Sequence, residues 1–466
     1  MITKTTHNQP SVKMVILEEL VPEDHLLRKI EKVIPMGFIY EIVEPLYSKV
    51  GAPSIDPVRL FKMAFINRLY GINSMRRTTE EIRVNLAYRW YLGLDIDDPV
   101  PHFSDFSKNY TRKFSQPISI PHPATGEMIE TTVFVAIFER ILSEAMKRGF
   151  LYPGHTYMDS THIKASANKK KFTTEEIQTD LRSYQAELDA EMDVYCEAMN
   201  LKKPAALEAE VKKRKVNTVD PDSGYFCKGE HEKQFAYLAQ TACDSNGFIL
   251  AVKVNPANLH DSTTFSPVFQ ELVEKFGVGG EKGIRSIGLD AGYKVPSIAR
   301  EILQTKITPL MPYTCPKGRK YNEDEERIVR KEFIYDSQHD VYYCPNQCTL
   351  TPRSVDRKDG TKIYRAKKKD CDMCPLRSQC LSKTTVTKSL KRHFWQSFLD
   401  EVELIRKTEY HARYYAKRKF TIERIFADAK EKHGLRYTRL KGLKRLQDEL
   451  LLTFACMNLK KIALWA

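Results

Sequence analysis

Several absences narrow the field. Residues Met1 to Val21 contain no apolar core followed by a small-residue cleavage site, so no secretory signal is expected. The longest strongly apolar stretch, Leu450 to Met457, is much shorter than the ~20 residues of a membrane span, and no membrane partner is expected. Acidic residues are in deficit. The 60 Asp and Glu stand against 74 Lys and Arg, a net charge of +14, which is unusual for a metabolic enzyme and suits a polyanionic partner. Apolar residues are not scarce, however. A 42% hydrophobic and 10% aromatic content excludes wholesale disorder. Ten cysteines, several closely spaced, favour reduced thiols or metal over disulfides when no export signal is present. At 466 residues the chain should hold two to four units. An intracellular, soluble protein facing DNA or RNA is the leading class.

Residues 1–115 read as helical and basic. Asp56 can cap a helix and Pro57 suits its first position. Val58, Phe61, Phe65 and Leu69 follow at helical spacing and end near Gly71. A second start is expected at Thr78, which stands in capping-box spacing with Glu81, with a buried stripe of Ile82, Leu86 and Trp90. Arg59, Arg68, Arg76, Arg77, Arg83 and Arg89 lie around these stripes. Two short helices joined by a turn, with a run of Arg, suit binding in a DNA groove.

An α/β unit follows. Gly154 to Asp159 reads as a short strand ending in a carboxylate, and Lys233 to Asp244 and Phe248 to Asn255 read as paired strands. Gly283 to Asp290 is a further strand ending in Asp, with helices at Ser262 to Phe276 and Ser297 to Leu303. A long helical stretch, Thr173 to Val216, interrupts the unit. Thr173 and Glu176 have capping-box spacing, and Ile177, Leu181, Tyr184, Leu188, Met192, Tyr195 and Met199 recur like a coiled-coil seam. That seam either packs on its own chain or helps to pair two subunits. Residues 311–400 are rich in cysteine, proline and lysine, and the chain is helical from about 405.

Asp159 and Asp290 end strands, and Glu423 lies on a later helix. Grouped by the fold, three carboxylates can hold two divalent cations for phosphodiester chemistry, and oxygen ligands suit magnesium or manganese. Singly, each Asp is more often a turn or cap residue than a catalytic one. Cys344 and Cys348 precede Cys371, Cys374 and Cys380 at zinc-site spacing.

Context decides between these readings. Asp159-Ser160-Thr161-His162-Ile163-Lys164-Ala165 resembles the first-aspartate motif of bacterial insertion-sequence transposases of the DDE class, and Gly288-Leu289-Asp290-Ala291-Gly292-Tyr293 resembles the second. Ile422-Glu423-Arg424-Ile425-Phe426, with Lys430, Gly434-Leu435-Arg436 and Arg439, resembles the last-carboxylate helix. Tyr70-Gly71-Ile72 through Asn85-Leu86-Ala87-Tyr88-Arg89-Trp90 resembles the DNA-binding region. Relatives often show Tyr, Arg three residues on, Glu four further and Lys seven further. Here Glu423 and Lys430 keep their spacing, Lys419 stands where Arg is expected, and Tyr415 is one residue out of register.

The resemblance implies an α/β fold with an RNase H-like core. Residues 1–115 would be a helical DNA-binding domain and 150–310 the first part of the core, with a helical insertion at 172–216. Residues 311–400 would be a cysteine-rich insertion and 401–466 the core's C-terminal helices. It implies a catalytic triad of Asp159, Asp290 and Glu423 holding Mg2+ or Mn2+, with Arg76, Arg77, Arg83, Lys419, Lys430, Arg436 and Arg439 on DNA. Water would free a 3′-hydroxyl at each element end, and that hydroxyl would attack target DNA. Cys344, Cys371, Cys374 and Cys380 would hold a structural zinc, with Cys348 the alternative to Cys344. Expected partners are double-stranded DNA, as element ends and target, and a second copy of the chain at least when DNA is bound. The expected location is the bacterial cytoplasm, on the nucleoid. The competing reading is a non-catalytic DNA-binding protein derived from a transposase, which would need none of the three carboxylates.

Overall fold

The helix start at Asp56-Pro57 is present. Asp56 Oδ1 accepts a hydrogen bond from Val58 N at 2.8 Å, and the helix runs Pro57–Leu69 with Val58, Phe61, Phe65 and Leu69 buried. The computed structural model describes residues 14–48, 50–51, 54–121, 126–178, 184–207, 211–228, 232–280, 282–314, 328–382 and 384–466. The second helix begins earlier than expected. It spans Met75–Val84 and is capped by Ser74, whose Oγ accepts from Arg77 N at 3.3 Å. Thr78 and Thr79 lie inside it, and each hydroxyl donates to the carbonyl four residues back, Ser74 O and Met75 O. Asn85 ends that helix and caps a third, Leu86–Leu92. Ile82 is therefore buried, while Leu86 and Trp90 sit on a separate element and stay partly exposed.

The central sheet is built outward from the strand His155–Lys164. On one side it pairs antiparallel with Glu232–Asp244, which pairs antiparallel with Ile249–Pro256 and, at its other end, with Gly224–Lys228. On its other side lies Ser286–Gly288 and then Thr308–Leu310, both parallel to it. The helices Asp261–Phe276 and Pro296–Gln304 connect these strands. Asp159 lies mid-strand, not at a strand end. Pairing continues from Asp159↔Thr241 to Lys164↔Ala236, so the ladder extends five residues past the carboxylate. Asp290 stands two residues beyond Ser286–Gly288.

The N-terminal helices share the core of this sheet. The helix Leu443–Trp465 is buried along most of its length and packs on Pro57–Leu69, on Val133–Lys147 and on Ile249–Pro256. Phe61, Phe138, Tyr157, Leu250 and Phe454 belong to one apolar cluster. Arg68 and Glu449 add an ion pair across the two ends of the chain at 2.5 Å.

The segment 172–216 is not helical throughout. Phe172–Gln178 and Val211–Asn217 pair antiparallel over seven positions, from Phe172↔Asn217 to Gln178↔Val211, and only Gln185–Ala198 is helix. Thr173 and Glu176 therefore sit on a strand. The β-branched Thr173, Thr174 and Val216 fit the pleated ribbon, and cross-strand pairing overrides the helical spacing of the apolar residues. Leu181 lies outside the described residues. Leu188 and Met192, from the expected seam, are buried together with Cys196 against Val355 and Trp395 of the same chain.

Those two partners belong to the cysteine-rich segment or flank it. The segment forms a five-stranded antiparallel sheet in chain order, Ile334–Asp336, Val341–Tyr343, Thr349–Asp356, Thr361–Ala366 and Ser389–His393. Asp340 ties the insertion helix to this sheet by accepting from the hydroxyls of Tyr195 and Tyr335, at 2.5 and 2.7 Å, and from that of Tyr364. Burial works against its charge, but the three hydroxyls and Lys362 outweigh it and hold its carboxyl below the usual range.

Candidate active site

Three stretches far apart in sequence meet around one cation. Asp159 projects from the middle of its strand, Asp290 from the turn after Ser286–Gly288, and Glu423 from the first turn of the helix Ile422–Lys432. Arg418 lies among them. Its guanidinium donates to Asp159 Oδ2 and, at 3.0 Å, to Glu423 Oε1, and it lies 3.9 Å from Asp290 Oδ1. The Arg418 side chain is 10% exposed and that of Asp159 17%, whereas Asp290 and Glu423 are about half exposed. Burial opposes the arginine's charge, yet the surrounding carboxylates raise its pKa above the ordinary value. The guanidinium Nε is buried without a hydrogen-bond partner.

Sequence reasoning passed over Arg418 in favour of Lys419. Lys419 is exposed, and Arg418 is the cation among the carboxylates. A signal existed, because Tyr415 and Arg418 keep the expected three-residue spacing. The register break falls between Arg418 and Glu423, in the 3-10 turn Ala416–Phe420 that ends before the helix.

Several contacts hold this turn against the sheet. Tyr157 donates its hydroxyl to Tyr414 O at 2.8 Å, and the His155 ring stacks on Tyr414 with centroids 3.6 Å apart. His155 Nδ1 is 2.8 Å from Ser286 Oγ, which joins the strand that carries Asp159 to the parallel strand that leads to Asp290. Burial, with Arg285, Lys417 and Arg413 adding repulsion, pushes the His155 pKa down to about 4. The strands approach closely. A Cβ on Gly288 would lie 2.6 Å from Tyr157 Cδ1. At the start of the helix, Thr421 Oγ1 donates to Lys417 O at 3.0 Å. Ile422, Ile425, Phe426 and Ala429 face the core, leaving Glu423 on the open side.

The other expected DNA contacts are dispersed. Arg76, Arg77 and Arg83 are exposed on Met75–Val84, with Arg76 over the Phe103 ring at 4.5 Å and Arg77 paired with Glu81 at 3.0 Å. Lys430 is half-buried on the helix of Glu423, and Arg436 and Arg439 are exposed just beyond it, Arg436 paired with Glu431.

Cys344, Cys348, Cys371, Cys374 and Cys380 line one cavity of about 30 Å³. All five are free thiols, and Cys348 N donates to Cys344 Sγ at 3.3 Å. Burial raises the Cys348 and Cys380 pKa values, and the neighbouring thiols add to it. Among the described residues no group of three or more His, Cys, Asp or Glu is arranged to hold a metal ion. At the carboxylates, Arg418 stands between the side chains that would have to close on one.

Comparison with known proteins follows the same outline. Residues 15–112 match the transposase domain family DUF772, and residues 343–463 match the transposase DDE domain family. The second match includes Arg418, Glu423, the five clustered cysteines and the last three strands of the cysteine-rich sheet, while Asp159 and Asp290 lie outside it. A transposase match at each end supports a DDE transposase of the insertion-sequence type. Among solved structures, a piggyBac transposase synaptic complex with hairpin DNA is 10% identical, with 94% of this chain and 72% of that chain covered and a TM-score of 0.34. No curated protein matches. No helix among the described residues is long and apolar enough to cross a membrane.

Proposed function

We propose that the protein binds the ends of an insertion sequence and catalyses metal-dependent cleavage and transfer of its DNA strands. The observation that carries this reading is the convergence of Asp159, Asp290 and Glu423 on Arg418. Carboxylates assembled around a cation are a donor set of hard oxygens, which fits magnesium or manganese. The sheet, a meander of three antiparallel strands continued by two parallel to the first, supports its reading as an RNase H-like core.

Asp159, Asp290 and Glu423 would hold the cations. Bound divalent ions would supply activation of the attacking oxygen and charge relief at the leaving one. Arg418 shares its charge among the same carboxylates, so an incoming cation competes with it. Once released, its guanidinium suits a DNA phosphate, which it can grip bidentately. In the first step a water oxygen bonds to phosphorus and the bond to the 3′-oxygen breaks, leaving a 3′-hydroxyl and a 5′-phosphate. In the second, that hydroxyl bonds to a target phosphorus and displaces the target's own 3′-oxygen. The protein's work is positioning and charge compensation. Arg76, Arg77 and Arg83, exposed on one helix, support DNA contact by the N-terminal part, with Lys419, Lys430, Arg436 and Arg439 meeting phosphates nearer the carboxylates. The work would take place on nucleoid DNA in the cytoplasm, by two chains joined on DNA.

Cys344, Cys371, Cys374 and Cys380 would take up a structural zinc, with Cys348 the alternative to Cys344. Soft sulfur donors gathered around one cavity fit that ion.

The test of the main reading is Asp159→Asn. Cleavage of element-end DNA in magnesium should be abolished, while end binding survives because affinity comes from Lys and Arg on phosphates. Near-normal cleavage by the variant would overturn the triad. A descendant that only binds DNA would show no cleavage in the wild type either.

A further inference from the structure

The ribbon Phe172–Gln178/Val211–Asn217 has a charge pattern that the triad does not use. Its second strand carries Lys212-Lys213-Arg214-Lys215 in succession, and Lys169-Lys170-Lys171 leads into the first. Within the paired positions, Glu175 and Glu176 stand across from Arg214 and Lys213. The Lys213–Glu176 pair, at 3.9 Å between largely exposed side chains, is a weak surface contact, and cations outnumber acids along the two paired strands. Residues 169–176 and 211–213 are all exposed, including the ring of Phe172 and the side chain of Val211.

The root of the ribbon is fixed. Buried Asn217 donates from Nδ2 to Asn168 O at 2.9 Å and to Lys171 O at 2.8 Å. Lys215 Nζ lies over the rings of Phe172 and Tyr225 at 4.7 and 4.6 Å. That root follows directly from the strand that carries Asp159. The end of this strand, Lys164, is hydrogen-bonded on both sides to the segment of Arg436 and Thr438, at 3.2 and 3.0 Å. A duplex lying on Arg436 and Arg439 would therefore continue toward the ribbon.

We propose that this ribbon enters a groove of the DNA duplex flanking the cleavage site. The inference rests on the proposed function. A two-stranded antiparallel ribbon has the cross-section that the B-form major groove admits. Seven residues at ~3.3 Å each span about 23 Å, or roughly seven base pairs at 3.4 Å. Lys213 and Lys215 alternate with Lys212 and Arg214, so whichever face is turned into the groove carries cations toward the DNA.

The test combines Lys169→Ala, Lys170→Ala, Lys212→Ala and Lys213→Ala in the full chain, with the four Lys→Arg changes as a control. All four sites are exposed, and thermal unfolding checks that the variants fold. Binding to an end duplex is measured against salt. For the alanine variant, the slope of log K against log salt should shrink by about 0.9 for each lysine that meets a phosphate, or about 3.6 for all four. The arginine variant should keep the wild-type slope. An unchanged slope in a folded alanine variant that binds the duplex overturns the ribbon's role and leaves the proposed function standing. Failure of the wild type to bind any duplex overturns both. An A-form RNA duplex, whose major groove is too narrow for the ribbon, distinguishes groove entry from charge alone. Equal slope losses on RNA and DNA overturn groove entry.

Discussion

Arg418 neutralises three acids at once, and that makes it the most informative single residue. In chelator, Arg418→Ala removes the guanidinium that Asp159, Asp290 and Glu423 share. Asp290 and Glu423 are about half exposed, so water screens much of the repulsion. The expected loss of unfolding free energy is about 2 kcal/mol, below the ~3–5 kcal/mol of a fully buried pair that loses one partner. Urea unfolding in chelator measures it, and millimolar manganese should restore more stability to the variant than it adds to the wild type. If manganese restores nothing, the carboxylates do not hold a cation. His155 gives a pH signature. Its pKa of about 4, set first by burial, lies below the ~6.5 of an unfolded histidine. Between these values the unfolded chain binds a proton that the native one refuses, so this group adds stability as pH rises through the window. Asp244 and Asp448, both pushed up to about 6 by burial, act in the opposite sense. The His155→Gln variant isolates the histidine. The advantage of wild type over variant should shrink as pH falls from 6.5 to 4, by no more than about 3 kcal/mol. A pH-independent difference in urea unfolding would refute the assignment.

At the scale of elements, the cysteine-rich sheet is small. Its own apolar cluster consists of Phe333, Tyr342, Leu350, Tyr364 and Leu390 with a few partly buried neighbours. Five strands with so little core would gain from a cross-link, and the proposed zinc would supply one. Protein prepared without chelator should carry about one zinc per chain. Cys374→Ser should lose it, and limited proteolysis should then cut within residues 328–395 before the rest of the chain. Zinc-free wild type that resists protease equally would remove the claim.

For the whole molecule, the buried faces bear on assembly. Leu188, Met192 and Cys196 already have partners in Val355 and Trp395, so these three side chains are not available to a second chain. Transposition must nevertheless bring two element ends together. Light scattering should therefore find a mass of at least two chains on end DNA. Leu188→Lys should lower stability by a few kcal/mol through an unpaired buried charge, without selectively blocking that assembly. A variant that stays as stable as wild type but is monomeric on DNA would restore the seam to a subunit interface.

Legibility in the sequence followed the range of the interactions. The start at Asp56-Pro57, the hairpin around Asp244 and Gly247 and the three acidic motifs were readable, because capping, turn chemistry and motif spacing are local. Asp159 was found, but its position mid-strand was not, because the length of a strand is set by its partner Glu232–Asp244. The ribbon was read as helix, since its apolar spacing suited either form and only the pairing of Phe172–Gln178 with Val211–Asn217, more than thirty residues later, decides between them. Arg418 was missed because the turn between Tyr415 and Glu423 sets which of two adjacent cations faces inward. Composition, net charge and the order of the carboxylates are properties the sequence determines by itself. Which cation stands among those carboxylates, and which faces remain open to DNA, depends on packing between segments hundreds of residues apart, and only the tertiary structure decides it.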